Sequence, residues 1–206
     1  MPNALVWFRH DLRLDDNPAL RAALDQGFTP IPVYVHAPQE EGEWSPGAAS
    51  LAWLHRSLAA LDADLRARGS RLLLREGPSA PALQALVEQT GAVAVFWNRK
   101  YEPATQPRDA SLKKRLREQG LQVESFNGCL LFEPWDLATQ QGGPYKVFTP
   151  FWRSALAQWR APATWDAPGA LPAFEGALPG ESLDAWRLAP ALGWDAGFWK
   201  VWTPGE

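Results

Sequence analysis

The run Ala4-Leu5-Val6-Trp7-Phe8-Arg9, with His10-Asp11-Leu12-Arg13-Leu14-Asp15-Asp16 behind it, decides the fold. An unbroken apolar run stops at a block of charge. A half-buried strand would alternate; an apolar run this short reads as a strand covered on both faces, the habit of a parallel sheet. Candidate strands follow at Ile31–Val35, Arg71–Arg75, Val93–Asn98 and Gln122–Phe126, the last the most polar of the set. Helical stretches separate them. Asp16 can cap a helix with Pro18 in its first turn and Gly27 at its close. Ser45-Pro46 opens a longer helix with Leu51, Leu54, Leu58, Leu61 and Leu65 on one apolar stripe, ending at Gly69. Ser79 and Pro81 begin a third, with Leu83, Leu86 and Val87, and Leu112 and Leu116 mark a fourth that stops at Gly120. Together these predict a doubly wound α/β fold: a five-stranded parallel sheet of Rossmann-like order 3-2-1-4-5, with helices on both faces.

In such a sheet, ligands bind beyond the carboxyl ends of the strands, where strand order reverses. The predicted order puts that crevice between strands one and four. Arg9, His10, Asp11 and Arg13 follow strand one; His36 and Ala37 follow strand two. Asn98, Arg99, Tyr101 and Glu102 follow strand four, and Trp7 and Trp97 lie near the strand ends. Charged groups and aromatics converging there suit a planar anionic ligand. The turn after strand one contains no glycine, so the dinucleotide fingerprint G-x-G-x-x-G is missing, and neither a P-loop nor a Gly-x-Ser-x-Gly elbow occurs. His10 beside Asp11 is the pairing closest to acid–base chemistry. Asp11 is expected instead to pair with a nearby arginine while His10 faces solvent. Glu40, Glu41 and Glu43 read as loop surface. Taken alone, the residues give a ligand-binding domain with no assigned catalytic residue.

Composition narrows the classes further. The 206 residues are 46% hydrophobic and 21% charged, the balance of a globular chain. No apolar run approaches the length of a membrane span. Charge arrives at Arg9 and Asp11, too early for a signal peptide, so a cytoplasmic location is expected. Cys129 stands alone and the histidines are His10, His36 and His55, a poor set for a structural zinc site. A net charge of −3 argues against a domain that grips nucleic acid through phosphates. The one dense basic cluster, Lys113, Lys114, Arg115 and Arg117, reads as a solvated helix face.

After Phe126 the pattern changes. A loop leads to Thr149-Pro150, a capped helix start, and a helix to about Arg160. Beyond it Pro, Gly, Ala and Trp dominate: five of the twelve tryptophans (Trp165, Trp186, Trp194, Trp199 and Trp202) lie there. Flexible linkers rarely carry so many, so this irregular aromatic-rich extension is expected to dock onto something. The organisation reads as an α/β domain at 1–130, a loop and helix at 131–160, and a Pro/Trp-rich linker at 161–206. Thr203-Pro204-Gly205-Glu206 has the form of a capping box. A helix is expected to begin where the chain stops, as in a fragment of a longer protein.

The segment Leu5–Leu20, LVWFRHDLRLDDNPAL, resembles the opening signature of the photolyase/cryptochrome family. Leu131-Phe132-Glu133-Pro134-Trp135, then Pro144-Tyr145-Lys146-Val147-Phe148-Thr149-Pro150-Phe151-Trp152, resembles its second hallmark, and Trp199–Glu206 is similar to the stretch before its catalytic domain. The resemblance implies an amino-terminal antenna domain whose parent holds FAD in a separate helical domain. There, on absorbing blue light, the reduced flavin donates an electron to a pyrimidine dimer flipped out of damaged DNA, acting as a carbon–carbon lyase. FAD and catalysis are then expected only in that absent domain, and no catalytic residue in this chain. The resemblance further implies a second, antenna chromophore near Arg9, Asp11, Arg13, Tyr34, Val35, His36, Trp97, Asn98 and Glu102. Folate-binding relatives carry an Asn-Glu pair where this chain has Ala104-Thr105, and many carry an arginine near Leu51. A flavin-type or deazaflavin antenna is therefore expected over a folate, with an empty pocket as the remaining alternative. Tyr145, Lys146, Phe148 and Trp152 are expected at the interface with the FAD domain, and exposed aromatics there would let the isolated chain self-associate. Two rivals share the fold: a cryptochrome photosensory module and a nucleotide-binding α/β protein of the stress-protein kind.

Overall fold

The computed structural model describes residues 1–176 and 180–206; residues 177–179 of the 161–206 stretch lie outside the described residues. β1 (Asn3–Phe8), β2 (Thr29–His36), β3 (Leu73–Glu76), β4 (Ala94–Asn98) and β5 (Gln122–Phe126) form one parallel sheet in the order β3-β2-β1-β4-β5. This is the predicted order. Leu5 stands opposite both Ile31 and Val95, so residues of one parity share a face across the three middle strands. Ala4, Val6, Phe8, Ala94 and Phe96 pack under α1 (Pro18–Asp25) and α2 (Ala48–Ala67). Leu5, Trp7, Ile31, Val33, Val95 and Trp97 pack under α3 (Ser79–Thr90) and α4 (Thr105–Glu118). Right-handed crossovers moving outward from a central β1 demand this division. Leu58 and Leu65 of α2, and Leu83 and Leu86 of α3, are fully buried, each burial contributing about 2 kcal/mol.

Several helix starts differ from those expected. Asp16 takes a left-handed backbone conformation (φ 43°), and the cap of α1 falls to Asn17, whose Oδ1 accepts from the Leu20 amide. The Ser45 hydroxyl donates back to the carbonyls of Pro38 and Gly42, closing the short helical segment Pro38–Trp44, so α2 starts after Gly47. α5 (Phe148–Gln158) begins one residue before the expected Thr149-Pro150 cap and has no side-chain cap. Thr203–Glu206 is not helical: the Glu206 carboxylate accepts from the amides of Leu14 and Asp15, at 2.9 and 2.5 Å.

The extension lies along the α1/α2 side of the sheet. The Leu171 amide donates to the Arg68 carbonyl, the Asp16 amide to that of Trp165, and Leu171, Trp186 and Leu188 complete the core on that face. The Trp186 ring stacks on His36 at 5.2 Å and lies 6.2 Å from Tyr34, while its Nε1 donates to Glu181. The Trp186→Ala variant should lose about 3 kcal/mol of stability, read as a lowered guanidinium midpoint, with faster proteolytic cleavage of the extension.

Candidate functional site

At the carboxyl edge of the sheet the chain leaves β1 through Arg9–Asp16 and β4 through Arg99–Ala104, and a polar clamp fixes both. Asn98, 3% exposed, donates from Nδ2 to Asp11 Oδ2 (2.6 Å) and Asn17 Oδ1 (2.9 Å), while its Oδ1 accepts from the Ala19 amide. The other Asp11 oxygen accepts from the Arg9 amide at 3.0 Å. The expected pairing of Asp11 with an arginine is not what forms. Arg9 turns away to Asp109 (2.5 Å) and the Asn98 carbonyl. Arg13 spends its donors on the carbonyls of Asp15, Asp16 and Gly128. Gly128 lies so close to Asn98 that a Cβ there would sit 2.7 Å from the Asn98 Cβ. His10 is exposed, with Nδ1 3.6 Å from Glu102.

Two hollows flank this clamp. The larger, about 420 Å³, opens beyond the ends of β1 and β2 against α2. Arg9, Asp11, Arg13, Tyr34, Val35 and His36 line it. The smaller, about 380 Å³, lies beyond β1 and β4 and takes Asp11, Arg13, Asn98 and Glu102 into its wall. Trp97 lines neither; it is 1% exposed, its ring edge-on to Trp7 at 5.9 Å on the α3/α4 side. Lys100 stands in the wall of both hollows.

The larger cavity also contains residues that the sequence reading did not single out. Trp53 and Ser57 come from α2, Ser79 from the start of α3, Arg108 from α4, and Glu41 from the Pro38–Trp44 segment. Glu40 and Glu41, read as loop surface, turn inward. Glu41 holds Lys100 Nζ at 2.7 and 2.8 Å, and Glu40 accepts from the Ser79 amide and hydroxyl and from Arg108 (3.1 Å). Periodicity carried no sign of this, since each partner belongs to a different element. The guanidinium groups of Arg9 and Arg108 lie 4.8 and 5.5 Å from the Trp7 ring centroid, a favourable cation–π arrangement. Burial, with Glu41 nearby, pushes the Tyr34 phenol up, keeping it a neutral hydroxyl. Burial pushes the His36 imidazole down against the opposing pull of Glu76. The cavity is thus walled by aromatic rings with neutral polar tips and by a rim of paired charges. Such walls accept a flat ring system by stacking and directed hydrogen bonds. Among the described residues no group of three or more His, Cys, Asp or Glu could hold a metal ion. No described helix is long and apolar enough to cross a membrane.

Away from this edge, α5 and its approach expose an apolar row. Phe148 is 69% and Trp152 45% exposed, their rings stacked at 6.1 Å, with Leu156, Trp135 and Leu131 exposed as well. Tyr145 is half-buried against Phe151, and Lys146 is exposed.

Comparison with known proteins follows the same geography. Residues 4–170 match the family model described as DNA photolyase. The chain is 45% identical over 203 residues to the deoxyribodipyrimidine photo-lyase of Agrobacterium fabrum, covering 98% of this chain and 42% of that protein. It is 42% identical over 153 residues to Cryptochrome-2 of Arabidopsis thaliana, covering 74% of this chain and 25% of that protein. The class III photolyase of Agrobacterium tumefaciens superposes with a TM-score of 0.92 at 43% identity, covering all of this chain and 42% of that one. The archaeal photolyase of Sulfolobus tokodaii, solved with two FAD molecules, shares the fold: TM-score 0.75, 23% identity, 91% of this chain and 42% of that chain covered. The chain thus spans less than half the length of these relatives.

Two measurements probe the edge itself. Asn98→Ala removes its bonds to Asp11 and Asn17, leaves the Ala19 amide without its acceptor, and should cost about 3 kcal/mol, read by urea unfolding. For His36, a folded-state pKa below the ordinary value of about 6.5 means the unfolded chain binds the proton first as pH drops. Its stabilising contribution is therefore complete above that value and declines below it. The thermal midpoint should fall between about pH 7 and about pH 5 more steeply in the native protein than in His36→Gln.

Proposed function

Because the chain belongs to the DNA photolyase family, we propose that it is the antenna and scaffold domain of a deoxyribodipyrimidine photo-lyase. The observation that carries this reading is the aromatic-walled cavity at the ends of β1 and β2, built on the family's opening signature. Tyr34, His36, Trp53 and the Trp7 edge would hold a planar chromophore of flavin or deazaflavin type there, with Arg9, Asp11 and Arg13 bracing the loop that borders it. Such a group, when bound, supplies absorption of blue light and passes the excitation on. The protein's part is to orient the ring, exclude water from it and keep its neighbours uncharged. Leu51, near where many relatives carry an arginine, packs against the α1/α2 core, and Ala104-Thr105 bring one methyl and a hydroxyl already bonded to Glu102. These favour a flavin or deazaflavin over a folate.

In this reading the FAD that donates the electron, and the pocket for the flipped dimer, belong to a helical domain outside these residues. The chain alone then performs no repair. Tyr145, Lys146, Phe148 and Trp152 meet that domain, and residues 161–206 lead to it. In the isolated chain the same row is left for a second copy. DNA would be met through the whole protein, in the cytoplasm. The cryptochrome match, at 42% identity, supports a second reading: the same antenna domain in a photosensory protein.

The test is the absorption spectrum of the purified chain, followed by denaturation and chromatography of what is released. A stoichiometric flavin or deazaflavin is expected. Tight, stoichiometric folate would overturn the chromophore assignment, and light-dependent dimer repair by these residues alone would overturn the scaffold role.

A further inference from the structure

In doubly wound folds an anionic ligand commonly sits on a helix amino terminus at the carboxyl edge of the sheet, backed by a lysine or arginine. Here a carboxylate of the chain already occupies that position. Glu40 Oε1 accepts from the Ser79 amide at 2.8 Å and Oε2 from the Ser79 hydroxyl at 2.5 Å, at the start of α3. The same carboxylate pairs with Arg108 at 3.1 Å. One residue on, Glu41 takes Lys100, whose side chain is 5% exposed, in two bonds. Arg9, also 5% exposed at its side chain, is taken by Asp109, which Arg108 meets as well. Three of the four lysine and arginine cations in the wall of the large cavity are therefore each neutralised by a carboxylate from within the chain, and the fourth, Arg13, spends its donors on backbone carbonyls.

We propose that Glu40 and Glu41 are specificity-determining residues, and that the cavity takes an uncharged ring system in preference to the same ring carrying a phosphate. The inference deepens the chromophore-binding reading and rests on it. A phosphate entering beside Ser79, Arg108 and Lys100 would have to displace two carboxylates from charge-assisted hydrogen bonds or stand next to them. Like charges so close are strongly unfavourable in a partly buried site. A ring without phosphate meets Tyr34, His36 and Trp53 and leaves the pairs intact. The converging charge that a sequence reading takes as a seat for an anion is thus internally satisfied.

Binding of riboflavin, FMN and FAD to the purified, chromophore-stripped chain tests this by flavin fluorescence quenching. Riboflavin should bind at least about tenfold more tightly than FMN or FAD, a difference within the reach of one charge-assisted contact. In the Glu40→Gln/Glu41→Gln double variant FMN should gain about tenfold on riboflavin, whose own affinity should change less than about threefold. Glutamine at position 40 can still accept from the Ser79 amide, so the α3 cap survives. Glu41→Gln alone, which frees only Lys100, should show a smaller gain and serves if the double variant unfolds. FMN binding as tightly as riboflavin in the native chain, or an unchanged preference in the variants, would overturn the proposal. A second arm needs no flavin: millimolar pyrophosphate should leave the native thermal midpoint unchanged and raise that of the double variant. If no flavin binds but this arm behaves as expected, the chromophore reading fails while the anion-excluding role of the two glutamates stands. If pyrophosphate stabilises both proteins alike, that role fails.

Discussion

The carboxyl edge of the sheet depends on one amide side chain. Asn98 ends β4, and its bonds to Asp11, Asn17 and the Ala19 amide join that strand to the loop after β1 and to the first turn of α1. Parallel strands deliver all their outgoing loops to the same edge, so these segments must be held against one another by something. In nucleotide-binding members of this architecture, glycine-rich turns and a bound phosphate share that task. Here a buried polar network performs it without a ligand, and Arg9 adds a bond to the Asn98 carbonyl from the neighbouring strand. Because every donor and acceptor of the Asn98 amide is used, the network is rigidifying rather than costly.

Most of the sheet was legible in the sequence because strands covered on both faces are largely apolar and, bounded by turn residues, too short for buried helices; the edge strand β5, QVESF, carries the pattern least. Connection rules restrict strand order without fixing it, since 2-1-3-4-5 obeys them too; the Rossmann-like order expected is the one the sheet adopts. Helix starts were less legible, since caps are decided by competition among neighbours: Asp16 against Asn17, and Ser45 drawn back toward Pro38. Of the cavity, the strand-end residues could be named from topology, but the crevice was expected between β1 and β4, where the smaller hollow lies, whereas the larger opens beyond β1 and β2. Trp53, Ser57, Lys100 and Arg108 could not be named, because they come from separate elements and no spacing rule connects them. Glu40 and Glu41 illustrate the limit best. In sequence they resemble any acidic loop, and only the fold turns them toward Ser79 and Lys100.

The aromatic content of α5 and the extension divides by what each ring touches. Trp186 is buried, stacked on His36 and bonded through Nε1, so it belongs to the domain as firmly as a helix does. Trp199 lies under the Arg56 guanidinium at 4.1 Å and beside Trp53 at 6.0 Å, a surface contact that links the far end of the chain to the cavity wall. Phe148 and Trp152 touch mainly each other and neighbouring rings of α5, while their outer faces meet water. Composition announced the tryptophans together, as an excess of one residue type. Burial distinguishes the ones that build the domain from those that face water.

The paired charges around the cavity also explain why the site can stand open. A lysine and an arginine as enclosed as Lys100 and Arg9 could not be left unpaired: an uncompensated buried charge costs about 3–5 kcal/mol, a large part of a domain's stability. A fold that relied on its ligand to neutralise them would be unstable whenever the ligand was absent. Supplying Glu41 and Asp109 from within removes that dependence, and Glu40 does the same for the start of α3. The consequence is electrostatic closure toward anions, reached through the stability of the ligand-free state rather than through any contact with the ligand. What is left for recognition is shape, stacking and neutral hydrogen bonds, the interactions a flat, uncharged ring can satisfy.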